Sequence, residues 1–122
     1  MRIVDRATFL GLPAGTIFAK YEPHFFAPLS IKEATEGADF YVQDVIPEFV
    51  GNESEDDWTD TLDEIAAGER APTLDYDLIG LDGLLDSKQL FAVFEPRDAE
   101  ALIARLQKAL ADSGMGRRYE TV

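Results

Sequence analysis

Hydrophobic and polar residues alternate along several short stretches of the chain, as they do in half-buried β-strands. In residues 16–21, Ile17, Ala19 and Tyr21 fall on one side, while Phe18 and Lys20 fall on the other. Four more stretches show a β-rich pattern or a continuous apolar run: 29–32, 40–46, 73–78 and 89–94. The pattern therefore predicts four to five strands, with 89–94 as a buried central one.

Helical spacing and capping residues mark three other segments. Asp5 is placed to cap a short first helix, and Ser54 is placed to cap a second. The second helix has one apolar face, at Trp58, Leu62 and Ile65. A third helix is predicted from Pro96, with an apolar stripe at Ala99, Leu102, Ile103, Leu106 and Leu110.

The order of these elements predicts the fold class. Strands follow strands through short turns, such as the one expected at Asp82-Gly83, so the sheet should be mainly antiparallel. We expect a single α+β domain over 1–113, with four to five strands packed against two main helices. Residues 114–122 follow the last helix and are predicted to form a mobile tail.

Composition limits the class of protein. The 122 residues are 46% hydrophobic, which suffices for a core, and they include no cysteine for a disulfide or a thiolate metal site. No apolar run approaches the roughly 20 residues of a membrane span, so no membrane partner is expected. A reducing, cytoplasmic compartment is the simplest expectation.

The charge is strongly acidic and unevenly distributed. The formal net charge is −13, which disfavours direct contact with nucleic acid. Residues 33–86 contain 17 acids and one base, Arg70, for a net charge of −16, whereas the rest of the chain carries +3. A basic protein surface is therefore the partner that the charge favours. A solvated face that serves solubility alone is the alternative.

The acids are densest on the second predicted helix. Most of them fall opposite the Trp58 face, and no base separates them, although like charges one turn apart destabilise a helix by about 0.2–0.5 kcal/mol per pair. This pattern indicates that the negative field itself is used. The candidate partner-binding acids are Glu53, Glu55, Asp56, Asp57, Asp60, Asp63 and Glu64.

Two adjacent aromatic residues form a second candidate contact. Phe25 and Phe26 lie in a segment bracketed by Pro23 and Pro28, where at least one ring is expected to be exposed. Either ring could anchor a protein partner. The alternative is that both rings belong to the core.

Residues suited to catalysis or metal binding are few. His24 is the single histidine, and no serine lies in a nucleophile motif. Asp75, Asp77 and Asp86 fit an EF-hand loop, but Ile79 stands where an oxygen ligand is required, so a hairpin explains them better. We expect no enzyme activity, no cofactor and no metal.

Two stretches of the chain resemble a known group of proteins. Residues 9–23, FLGLPAGTIFAKYEP, resemble the opening of short proteins found in bacteriophage and prophage genomes. Residues 89–95, QLFAVFE, followed by a helix, resemble their ending. The resemblance implies a phage accessory protein that acts in the host bacterial cytoplasm, and small acidic phage proteins include anti-CRISPR and other anti-defence inhibitors that imitate DNA.

The function expected from these features is inhibition of a host nucleic-acid-handling defence complex through an acidic surface. Two alternatives stay open. One is a partner-specific immunity or regulatory protein without DNA mimicry. The other is a minor phage structural component.

Overall fold

A computed structural model describes residues 1–48 and 58–114 of the chain, and it confirms the α+β class. The described residues form a seven-stranded antiparallel sheet and three helices. In chain order the elements are β1 (Arg2–Val4), α1 (Arg6–Leu10), β2 (Thr16–Glu22), β3 (Phe25–Phe26), β4 (Ser30–Glu36), β5 (Asp39–Asp44), α2 (Trp58–Ala66), β6 (Gly80–Leu81), β7 (Leu90–Val93) and α3 (Pro96–Ser113).

The sheet is ordered β1-β7-β2-β4-β5-β6, with β3 paired to β2 outside this path. The long strand β2 is central, between β7 and β4, and Phe18 lies opposite both Val93 and Ser30. The apolar run 89–94 does lie inside the sheet, because β7 pairs with β1 on one side and β2 on the other. Its residues Phe91, Ala92 and Val93 are all buried.

The core lies on one face of the sheet, beneath α1. Side chains alternate along β2, so Phe18 and Lys20 share this face, as the sequence pattern predicts. Phe18 packs there with Phe9 of α1 and with Phe40 and Phe91 of the neighbouring strands. We call this the core face. Val4 and Val93 complete the buried cluster.

The strand predicted over 73–78 is wrong except for a single bridge residue, Leu74. The Asp75 carboxylate accepts a hydrogen bond from the backbone N–H of Asp77 at 3.1 Å, and the Asp75 carbonyl accepts one from Leu78 at 3.3 Å. These two hydrogen bonds engage the Asp77 N–H and the Asp75 carbonyl, which a strand would need for pairing with its neighbour. The neighbouring strand is β6 instead, and Tyr76 and Leu78 are exposed.

The burial predicted for the apolar face of α2 is wrong at Leu62, which is 42% exposed. Thr61 is the buried residue of this helix, and its hydroxyl accepts a hydrogen bond from Arg70 Nη1 at 3.4 Å. The helix is therefore rotated about its own axis, so that Thr61 faces inward in place of Leu62, the next residue, which the apolar spacing predicts to be buried. The side chain of Trp58 lies outside what the structure describes.

The ends of α3 agree with the capping signals. The Asp98 carboxylate accepts a hydrogen bond from the backbone N–H of Glu95 at 2.9 Å, and Pro96 occupies the first turn. Gly114 closes the helix with a φ of +71°, a conformation that favours glycine. The apolar stripe is more exposed than its spacing predicts, because Ile103, Leu106 and Leu110 are all more than half exposed. Beyond Gly114, the predicted tail lies outside the described residues.

Candidate functional site

The acidic residues on α2 form the described part of the predicted partner-binding surface. Asp60, Asp63 and Glu64 are all exposed and lie within about one turn of each other, with Cβ atoms about 5–6 Å apart. Arg70 Nη1 lies 3.5 Å from a Glu64 carboxylate oxygen, at the exposed surface. The other four predicted acids lie outside the described residues: Glu53, Glu55, Asp56 and Asp57.

Three bases that precede the acidic segment 33–86 in sequence form contacts within the fold: Arg6, Lys20 and Lys32. Arg6 is buried on α1, where its guanidinium donates a hydrogen bond to the Ala38 carbonyl at 2.9 Å. The same group lies 3.7 Å from the Asp39 carboxylate and 5.6 Å from the centre of the Phe40 ring. Arg6 therefore stabilises the core side of β5 and contributes little positive charge to the surface.

Lys32 is the most buried of these bases, at 1% exposure. Its ammonium donates hydrogen bonds to the Glu33 carbonyl at 3.0 Å and to the Thr35 hydroxyl at 2.9 Å. The Thr35 hydroxyl in turn donates to the Leu10 carbonyl at 2.7 Å. Burial lowers the pKa of Lys32, and the negative charge of Glu33 opposes that shift.

Lys20 is the third base that is held inside, and its ammonium lies 2.6 Å from the carboxylate of Asp82. Residues 33–86 themselves contain a single base, Arg70, so the exposed charge of their described part is overwhelmingly negative. Within residues 33–48 and 58–86, the exposed acids are Glu36, Asp44, Glu48, Asp60, Asp63, Glu64, Glu69, Asp77 and Asp86. This arrangement gives one half of the chain a strong negative field.

The aromatic pair lies on the short strand β3, at the end of the sheet's central hairpin. Phe25 is 58% exposed and Phe26 is 50% exposed, so neither ring belongs to the core. Phe25 lies opposite Glu22 on β2, and Phe26 lies opposite Tyr21. The ring centres of Phe26 and Tyr21 are 5.3 Å apart. Because successive side chains of a strand alternate, the rings of Phe25 and Phe26 lie on opposite sides of the hairpin, and each is available to a partner.

The turn that presents these rings is made by His24, whose φ is +68°. This left-handed conformation closes the β2–β3 connection tightly. The backbone N–H of His24 lies 3.5 Å from the Tyr21 hydroxyl, which is a long contact for a hydrogen bond. The structure thus assigns His24 a place in a turn.

Within the two described segments, no group of three or more His, Asp or Glu side chains is arranged to hold a metal ion. In residues 1–48 and 58–114, no helix has the length and apolar character to cross a membrane.

Comparison with known proteins identifies no relative. No protein-family model matches the chain, and neither a curated protein nor a solved structure matches it.

Proposed function

We propose that the chain is a phage-type accessory binding protein that inhibits a host nucleic-acid-handling defence complex, as anti-CRISPR proteins do. Its acidic surface would occupy a basic groove on that complex and imitate nucleic acid. The proposed site of action is the host bacterial cytoplasm. The protein itself would bind neither nucleic acid nor membrane, and it would act without catalysis or a cofactor.

One observation carries this proposal: the three described acids of α2 are exposed, and Arg70 is the single base in residues 33–86. Arg6 and Lys32 are buried, whereas Asp60, Asp63 and Glu64 on α2 are exposed. Carboxylates one helical turn apart lie within the Debye length of about 8 Å at physiological salt, so their potentials add. A row of negative charge at this spacing suits a groove whose Lys and Arg side chains otherwise bind phosphates.

The experiment is capture from a bacterial lysate on the immobilised chain, followed by elution with unrelated duplex DNA. Because phosphate contacts are largely independent of base sequence, DNA should displace a partner that is bound through its nucleic-acid groove. We expect DNA-eluted proteins to be nucleases or components of a CRISPR complex. Capture that survives both excess DNA and raised salt would contradict the mimicry.

A matched pair of double variants tests the α2 acids. Asp60→Asn with Glu64→Gln removes two charges from α2, and one of these acids is paired with Arg70. Glu100→Gln with Asp112→Asn removes two charges from α3, and one of these acids is paired with Lys108. We expect about tenfold weaker binding for the α2 variant and a much smaller change for the α3 variant. Equal losses would indicate a general charge effect.

The exposed rings of Phe25 and Phe26 favour a second candidate, a partner-specific immunity or regulatory protein. Aromatic side chains that are exposed on a hairpin are typical anchors of a packed protein interface. Such an interface would keep most of its affinity when the α2 acids are neutralised, since anchors set the off-rate and surface charge mainly sets the on-rate.

A further inference from the structure

The second half of α3 has an apolar stripe that lies open within the described part of the chain. Ile103, Leu106 and Leu110 are 55%, 58% and 51% exposed, and every other residue in 103–113 is exposed as well. We call these three side chains the α3 stripe. A free helix of this length is marginal in water, since helices in proteins are stabilised mainly by the packing of an apolar face. The stripe therefore favours an apolar partner.

The first half of α3 meets the rest of the chain on a different side of the helix. Its half-buried residues Asp98, Ala99 and Leu102 line a shallow pocket together with Ile17 and Phe94. At 3.6 residues per turn, the centre of the stripe is rotated by roughly 70° from Leu102 about the helix axis. The contact between α3 and the sheet therefore leaves the stripe uncovered.

The spacing of the stripe suits a second copy of the same helix. Its residues follow each other at intervals of three and four, which is the spacing of a coiled-coil seam. Arg105 and Asp112 are exposed and flank the stripe on one side, about two turns apart. Antiparallel helices bring the same flank of each copy together. When Leu106 of one copy lies opposite Leu110 of the other, two ion pairs form, each between Arg105 of one copy and Asp112 of the other.

Both charged groups are available for these ion pairs. Arg105 makes no ion pair with another residue of 1–48 or 58–114. Asp112 contacts Lys108 of its own helix at the exposed surface, where an ion pair contributes little to stability. A carboxylate has about four acceptor sites, so Asp112 can accept from Lys108 and from Arg105 of the second copy at the same time.

Net charge also favours α3 as the place where two copies meet. Residues 96–113 contain three bases and three acids, whereas the whole chain carries −13 and residues 33–86 carry −16. Two copies can approach through this neutral helix without the repulsion that their acidic halves would cause. An antiparallel arrangement also places the two domains at opposite ends of the helix pair.

We propose that two copies of this chain pair through the α3 stripe, with their α3 helices antiparallel. The interface is one side of about three helical turns, which is smaller than a standard protein interface, so we expect a dissociation constant on the order of 10–100 µM. Each copy keeps its own α2 acids, and the pairing does not rest on the proposed inhibitory function.

The test is sedimentation equilibrium of the full chain between about 5 µM and 1 mM, a range that brackets the expected dissociation constant. We expect a reversible monomer–dimer equilibrium. Leu106→Gln should weaken it by about tenfold or more, because a polar side chain replaces an apolar one at the centre of the seam. Ala104→Gln introduces the same side chain on an exposed position outside the stripe and should dimerise as the parent does. Circular dichroism verifies that both variants are folded.

Two charge variants test the antiparallel register. Arg105→Asp alone and Asp112→Arg alone each place like charges at both predicted ion pairs, so each should dimerise about tenfold more weakly than the parent. An equimolar mixture of the two variants restores both ion pairs in a heterodimer and should recover most of the parent affinity. The control mixture replaces Arg105→Asp by Lys88→Asp, which has the same net charge, changes an exposed base outside α3 and restores neither pair fully.

The outcomes separate this pairing from other occupants of the stripe. A parent chain that stays monomeric up to about 1 mM would overturn the proposal and assign the stripe to a different partner. A dimer that Leu106→Gln leaves unchanged would overturn it as well, because the interface would then lie elsewhere. Equal association in the two mixtures would overturn the antiparallel register.

Discussion

The ring of Phe9 lies parallel to the ring of Phe91, with centres 3.9 Å apart and planes inclined by 5°. Phe9 comes from α1 and Phe91 from β7, so this contact joins the short first helix to an inner strand of the sheet. Phe18 and Phe40 meet Phe9 at steep angles, which gives the edge-to-face geometry that aromatic pairs prefer. All four rings are at most 2% exposed.

Truncation of Phe9 should therefore destabilise the protein severely. We expect Phe9→Ala to lower the free energy of unfolding by about 3–5 kcal/mol, since it leaves a cavity among three other rings. Phe25→Ala is the matched control, because its ring is 58% exposed, and it should cost less than about 1 kcal/mol. Urea unfolding followed by circular dichroism measures both, and similar losses would contradict this description of the core.

The sequence predicts the fold well where side-chain alternation and tertiary packing agree. The strand over 16–21, the buried strand at 89–94 and the last helix are all present at nearly the expected places. The prediction of four to five strands falls short of seven because β1, β3 and β6 have only two or three residues each. Segments this short carry no readable alternation, and their pairing depends on neighbours that are distant in sequence.

Burial of Lys32 should make stability depend on pH in the alkaline range. Its pKa is lowered in the folded protein because burial disfavours the charged form, so the folded state releases this proton before the unfolded state does. The Lys32 contribution to stability therefore rises as the pH rises through the folded pKa towards its ordinary value of 10.5.

Lys32→Met isolates this contribution, because all other titrating groups stay the same. We expect the unfolding free energy of the parent, minus that of the variant, to increase between neutral pH and pH 10.5. Urea unfolding at several pH values measures the difference. A constant difference would show that folding leaves the pKa of Lys32 unchanged, and a decreasing one would show that Thr35 and the Glu33 carbonyl stabilise the charged ammonium.

Asp5 should also make stability rise with pH, in the acidic range. Its carboxylate caps α1 by accepting a hydrogen bond from the backbone N–H of Thr8 at 2.8 Å, and this bond lowers its pKa below the ordinary value of 3.8. The charged cap therefore stabilises the fold fully above pH 3.8, and the contribution is lost as the pH falls through the lower, folded value.

Two variants separate the charge of this cap from its hydrogen bond. Asp5→Asn keeps an oxygen acceptor for Thr8 and should show less loss of stability on acidification than the parent. Asp5→Ala removes the acceptor and should lower the Tm at neutral pH as well. Thermal unfolding across the acidic range measures both effects. A parent and an Asp5→Asn variant with the same acid dependence would exclude a role for the charge.

The candidate sites are predictable from the sequence only in part. The acidic character of α2 is evident from the absence of bases, and Asp60, Asp63 and Glu64 are exposed as expected. The ion pair between Lys20 and Asp82 is not evident from the sequence, although the alternation of β2 places Lys20 on the same face as Phe18. Its partner, Asp82, follows a two-residue strand, and only the tertiary fold brings the two together.

The exposed rings of β3 allow the two proposed functions to be separated. Phe25 and Phe26 lie on opposite sides of one hairpin, so single alanine variants test each side alone. If a packed interface includes this hairpin, one variant should raise the off-rate of the captured partner by about tenfold or more, while both variants keep nearly the parent stability. If the acidic surface alone binds the partner, both off-rates should stay near the parent value, and the α2 double variant should weaken binding instead.

Surface plasmon resonance with the captured partner measures these rates, and urea unfolding measures the stabilities. Unchanged off-rates in both alanine variants would exclude the hairpin as an anchor. A loss of binding that follows a loss of stability would assign the rings a structural role.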